Sequence, residues 1–177
     1  MQPKGTMVVD DGDSRTELTF RRVYRHRIEH VWDAIATPEG LRAWLMATEV
    51  KIEARTGGRF EMVSGPTRFH STGQILVWEP PRVLEYEWNV GPVPEMPKGE
   101  RAIVRYELEP RGDATHVVIT YRGLTLDTSR GFLPGLHAFL DRLEAQLDES
   151  ALPGFFERFE ELRAEYPEWS HATAAGE

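Results

Sequence analysis

The side chains that could move protons or hold a metal in this chain are six histidines, five tyrosines and 29 carboxylates; there is no cysteine. Thiolate nucleophiles, iron–sulfur clusters, disulfides and cysteine-ligated zinc are therefore excluded. His26 and His30 stand four apart, as a metal-binding pair on one helix would. The first ends a strand-like segment and the second lies in a helical one, so the pair does not read as a metal site. His70, within Arg68-Phe69-His70-Ser71-Thr72, sits on a strand pattern beside a glycine that permits close approach. Facing an interior, it would give or take a proton. His137 lies at the edge of a leucine stripe and reads either as a neutral imidazole bonded to a sheet residue or as a ligand contact. His116 and His171 read as exposed.

The remaining candidates lack the partners that chemistry requires. Glu61, Glu85, Glu87, Glu107 and Glu109 mostly fall on the outer face of strand patterns, where charge keeps a sheet soluble. Ser64, Ser71 and Ser129 have no Gly-x-Ser-x-Gly context. Gly57-Gly58 precedes a strand rather than a helix and no lysine follows, so neither a P-loop nor a dinucleotide fingerprint is present. No catalytic residue, cofactor or metal is assigned on this reading.

The elements that would position these residues follow from periodicity. Residues 15–26 alternate as a half-buried strand. Ile28, Val31, Trp32 and Ile35 have helical spacing, and Thr37-Pro38 reads as an N-cap with proline at the first helical position. Six strand-like segments follow at 48–54, 59–64, 68–78, 83–89, 101–109 and 115–121, divided by glycine and proline turns. Leu133, Leu136, Leu140, Leu143 and Leu147 then mark a long helix, and residues 155–166 a further amphipathic one. Residues 1–14 read as a flexible tail, 15–150 as the folded domain and 151–177 as an extension, with 172–177 compositionally simple. The predicted fold is α+β: a curved seven-stranded antiparallel sheet wrapped around a long C-terminal helix, with two short helices after the first strand.

Alternation also selects an inner face. It carries Phe60 and Met62, then Leu84, Tyr86 and Trp88, then Val104, Tyr106 and Leu108, then Val117, Ile119 and Tyr121. Leu136, His137 and Leu140 of the long helix would face them, with Trp44 and Leu45 closing one end. Such aromatics build either plain core or the wall of a cavity for a mostly apolar ligand with one or two hydrogen-bonding groups.

The order of elements, with Val31-Trp32-Asp33-Ala34, Thr37-Pro38-Glu39-Gly40-Leu41, Trp44, Gly57-Gly58-Arg59-Phe60, the strand ending Glu79-Pro80-Pro81-Arg82-Val83-Leu84, and Trp88, resembles the START-like (SRPBCC) superfamily with its helix-grip fold. Within it the chain is most similar to the bacterial AHSA family, relatives of a heat-shock-ATPase activator. The likeness runs over about residues 15–149, and Arg27-Ile28-Glu29-His30 and Trp44-Leu45-Met46 depart from the family's usual proline and double tryptophan. It implies an apolar cavity between sheet and helix, for which the candidate lining is Trp44, Leu45, Phe60, Met62, His70, Tyr86, Trp88, Tyr106, Tyr121, Leu136, His137 and Leu140.

A net charge of −8 argues against nucleic acid or an anionic membrane as main partner, and neither a membrane span nor a signal peptide is evident. A cytoplasmic protein is expected. The Pro-rich loop 91–99 reads either as a lid, with Val93 and Met96 as its apolar contacts, or as a stiffened surface loop. Phe155, Phe156, Phe159, Leu162, Tyr166 and Trp169 are too many large apolar groups to leave in water. A homodimer through this helix is favoured over packing on its own domain. The functional expectation is binding of a lipid-like or polyketide-like molecule without chemistry. The alternatives are a polyketide cyclase or dehydratase using Tyr86, Tyr106, His70 or His137, and a stress-related co-chaperone.

Overall fold

The computed structural model describes residues 2–166, so Trp169, His171 and the stretch 172–177 lie outside the described residues. The alternating segments form β1 (Thr6–Val9), β2 (Arg15–Tyr24), β3 (Thr48–Ile52), β4 (Arg59–Ser64), β5 (Phe69–Glu79), β6 (Val83–Val90), β7 (Glu100–Arg111) and β8 (Ala114–Thr125). They make one sheet in the order β1-β2-β8-β7-β6-β5-β4-β3, antiparallel throughout. Helices α1 (Ile28–Ala36) and α2 (Pro38–Trp44) follow β2, and α3 (Leu126–Leu147) and α4 (Phe155–Arg163) follow β8. The helix-grip fold is as predicted, with eight strands in place of seven.

The extra strand comes from the segment read as a tail. Its Asp and Gly content is turn chemistry: Gly12 N–H donates to Asp10 Oδ1 at 2.7 Å and Arg15 N–H to Asp13 Oδ1 at 2.9 Å. The turn brings Thr6–Val9 back against Thr16–Thr19. Gly5 is the entry point, since a Cβ there would stand 2.4 Å from the Phe20 ring. Only glycine lets the backbone cross that ring.

Thr37 Oγ1 accepts from Gly40 N–H at 3.0 Å with Pro38 behind it, which starts α2 as the sequence indicates. Helix α3 begins seven residues before the leucine stripe, at Leu126 rather than Leu133. Its first turn is anchored by the buried Glu100 carboxylate, which accepts from Thr128 Oγ1 at 2.6 Å and from Thr125 N–H at 3.2 Å. An acid at a helix N-terminus complements the helix dipole. Buried Thr16 and Ser129 hydroxyls pair beneath it.

The inner faces of β6, β7 and β8 are buried as alternation predicts, with Leu84, Tyr86, Trp88, Val104, Tyr106, Leu108, Val117, Ile119 and Tyr121 all in the core. Leu133, Leu140, Leu143 and Leu147 press onto it from α3. Among the described residues no helix is long and apolar enough to cross a membrane.

Candidate functional site

One flank of α3 does not close onto the sheet. A cavity of about 370 Å³ opens there, within the range of small-molecule sites. On α3, Gly131, Phe132, Gly135, Leu136 and Phe139 recur at helical spacing and form its roof. Met62, Phe69, Trp88 and Tyr121 rise from β4, β5, β6 and β8, and Leu45 from the end of α2. The turn from Ser64 to Thr67 and Glu95 of the Pro-rich loop complete the rim. The last wall is α4, through Phe155, Phe156 and Phe159.

Gly135 is buried in the roof, where an added Cβ would first meet the Phe159 ring at 3.8 Å; Gly131 is exposed at the mouth, where one would meet nothing within 4 Å. Rings stand on both sides of this gap. Trp88 and Phe132 pack edge to face at 5.6 Å, and Phe139 and Phe155 lie 4.5 Å apart. Leu136 and Phe139 point at the sheet yet stay only half-buried because the cavity leaves them uncovered.

Five of the predicted lining residues therefore border the cavity: Leu45, Met62, Trp88, Tyr121 and Leu136. Trp44, Tyr106 and Leu140, with Tyr121 and Leu136 again, surround a separate void of about 10 Å³, too small for a ligand. Trp44 is fixed there by its indole N–H donating to the Ala34 carbonyl at 2.9 Å. Phe60 and Tyr86 are core, stacked at 3.9 Å with planes 3° apart.

Neither predicted histidine reaches the cavity. The His70 side chain is 58% exposed, and its Nε2 pairs with Glu61 Oε1 at 2.8 Å. Its strand presents alternate residues to opposite faces, and Ser71, not His70, takes the inner position. The His70 hydrogen bond holds the Glu61 carboxyl below its usual range, with Arg59 adding to it. His137 is 2% exposed but looks away from the cavity. Its Nδ1 lies 2.7 Å from Tyr166 Oη, so its partner follows α4 and is not a sheet residue.

Burial pushes the Tyr86, Tyr106 and Tyr121 phenols well above their ordinary value, and their proximity reinforces this. A phenol so held keeps its proton and is no base, and the Tyr121 hydroxyl gives its hydrogen bond to Tyr106 within the core. Neither Tyr86 nor Tyr106, named for the cyclase alternative, lines the cavity. Among the described residues no group of three or more His, Asp or Glu is placed to hold a metal ion. His26 and His30, expected to stay apart, pack edge to face at 5.2 Å, with His26 Nε2 2.6 Å from Asp148 Oδ1.

Phe69, Phe132, Phe139 and the two α3 glycines were not singled out from sequence. Spacing was the available signal, since positions 132, 136 and 139 repeat at four and three. Phe155 and Phe159, expected at a dimer face, turn toward their own domain; Leu162 and Tyr166 are buried, and Phe156 is 65% exposed. The Pro-rich loop contributes Glu95 to the rim while Met96 is buried in the core.

Solved structures share this architecture. The crystal structure of CalU16 from Micromonospora echinospora is 21% identical with a TM-score of 0.70, covering 97% of this chain and 98% of its own. Protein MLL2253 from Mesorhizobium loti is 27% identical with a TM-score of 0.65, covering 77% of this chain and 99% of its own. The solution structure of BPP1335 from Bordetella parapertussis is 24% identical with a TM-score of 0.66, covering 94% of each. No match is found among curated proteins. Residues 25–148 match the family model described as Activator of Hsp90 ATPase homolog 1-like protein, and the chain belongs to that family.

Proposed function

We propose that this protein binds a hydrophobic small molecule in the cavity between α3, α4 and the sheet, and does so without transforming it. The observation that carries the reading is the aromatic cavity of about 370 Å³ roofed by two helix glycines, where close packing is the norm for a protein interior. Ser64 and Thr67 are the hydroxyl-bearing residues of its wall outside the tyrosine cluster, enough to orient a ligand. A catalyst would need an acid, base or nucleophile aimed into that space. The candidates His70 and His137 pair instead with Glu61 and Tyr166.

The test is retention. Wild-type protein and Gly131→Leu, which places a side chain at the cavity mouth, are incubated with cell extract, stripped of unbound material and analysed by mass spectrometry. Wild type retains apolar small molecules and the variant loses at least roughly nine-tenths of them. Equal retention by both, or none by either, overturns the reading.

A further inference from the structure

We propose that the ligand of this cavity is a compact, ring-containing molecule without negative charge, and not an anionic lipid. The inference rests on the reading that the cavity is a ligand site, and it narrows what enters.

Charge is the first argument. Among the described residues no lysine, arginine or histidine lines the cavity, and the one charged side chain is the carboxylate of Glu95 at the rim. A ligand carboxylate or phosphate drawn inside would shed water and meet no counter-charge. The arginines nearby are not among the lining residues: Arg130 reaches Asp127 at 3.3 Å through Nη1 and keeps its Nε unpaired among the described residues, while Arg142 donates to the Ala43, Trp44 and Pro153 carbonyls. Arg68 is exposed and stands outside the wall.

Shape is the second. The walls are ring systems facing one another across the glycine gap, with Trp88 and Phe132 on one side and Phe139, Phe155 and Phe159 on the other. Rings in offset or edge-to-face contact gain beyond the area they bury, a gain an alkyl chain does not collect. The volume lies near the lower end for ligand pockets, which suits roughly two or three rings better than a long acyl chain. Ser64 and Thr67 are the lining residues whose neutral hydroxyls are not tied to the tyrosine cluster, and they can bond a carbonyl, ether or amine.

Three probes separate these claims. N-phenyl-1-naphthylamine and 1-anilinonaphthalene-8-sulfonate share a ring skeleton and differ by a sulfonate; 1-dodecanol is a neutral chain, read by displacement of the first probe. The neutral ring probe should bind wild type at least about tenfold more tightly than either of the others, and Gly131→Leu should abolish that binding. Glu95→Lys should narrow the gap between neutral and sulfonated probes by roughly threefold or more, as expected for reversing one charge near a solvent-facing rim. Sulfonate binding equal to or tighter than the neutral probe overturns the charge claim, and equal binding of dodecanol overturns the ring claim. In either case the cavity reading survives through the loss seen in Gly131→Leu. If no probe binds wild type, or Gly131→Leu binds as well, the cavity reading falls and this inference with it.

Discussion

The two flanks of α3 are filled in opposite ways. On the cavity flank, rings are held apart around two glycines, and the only charge among the described residues is at the rim. On the other flank buried polar groups are joined by directional bonds. Arg22 of β2 is buried and gives its Nη1 to Asp141 Oδ1 at 3.1 Å, and Arg158 of α4 reaches Asp141 Oδ2 at 2.8 Å. The Tyr166 hydroxyl accepts from Gly5 N–H at 2.8 Å and pairs with His137 Nδ1 at 2.7 Å. His137 Nε2 faces the Asp141 carboxylate at 3.6 Å, which favours the tautomer with its proton on Nε2 and Nδ1 as acceptor. The difference teaches that α4 is positioned from the polar flank and used on the open one. Directional bonds fix where the helix lies, so its phenylalanines can frame a space instead of filling it.

Removing the carboxylate that joins three elements should have the largest effect. Asp141→Ala leaves the Arg22 guanidinium buried with no counter-charge, where its Nε and Nη2 already lack partners among the described residues. Breaking one half of a buried ion pair costs about 3 kcal/mol or more, read from urea midpoints. Adding Arg22→Met should recover most of the loss, because the stranded charge and not the missing pair is what costs. A loss below about 1 kcal/mol would show that the polar flank does not hold α4.

Acid should weaken the same flank next. Burial, then Arg22, push His137 down from its ordinary 6.5 to about 4, with Arg158 and Lys4 in the same direction and Asp141 opposing. Between about pH 6.5 and pH 4 the unfolded imidazole binds a proton that the folded one refuses. The unfolded state therefore holds more protons in that window, and stability falls as pH drops through it. In His137→Gln this part of the slope should vanish, measured as unfolding free energy against pH. An unchanged slope would mean that His137 is protonated in the folded protein.

The sheet was legible because alternation on β6, β7 and β8 is dictated by one buried face and one wet one, a local signal. The wrapping around α3 follows from that same buried face, which a twisted sheet covers by curling around the long helix. The cavity was less legible because its roof looks like the wrong structure. Gly131, Pro134 and Gly135 are poor helix formers, so the sequence places the helix start at Leu133, yet packing against the sheet and the Glu100 anchor carry it from Leu126. Of these weak positions, Gly131 and Gly135 border the cavity and bring no side-chain bulk to it. The N-terminal strand was missed for a related reason: its Asp and Gly residues serve a turn whose pairing partner is set by the tertiary fold.

The smallest effect sharpens the contrast most. Phe156 belongs to the cavity wall but is 65% exposed, touching Phe155 edge to face at 5.5 Å. Little of its surface leaves water on folding, so Phe156→Ala should move stability by less than about 0.5 kcal/mol. Ligand affinity should nevertheless fall, by roughly threefold to tenfold, because the ring covers a bound molecule without being needed to cover the protein. The pair of measurements, urea midpoint and titration with N-phenyl-1-naphthylamine, tells binding surface from core. A stability loss near that of a buried phenylalanine would place Phe156 in an interface, and a fall in sedimentation mass on substitution would identify that interface as a second copy of the chain. With stability and mass unchanged and affinity reduced, α4 is part of the receptor surface, held in place by residues on the other side of α3 that never touch the ligand.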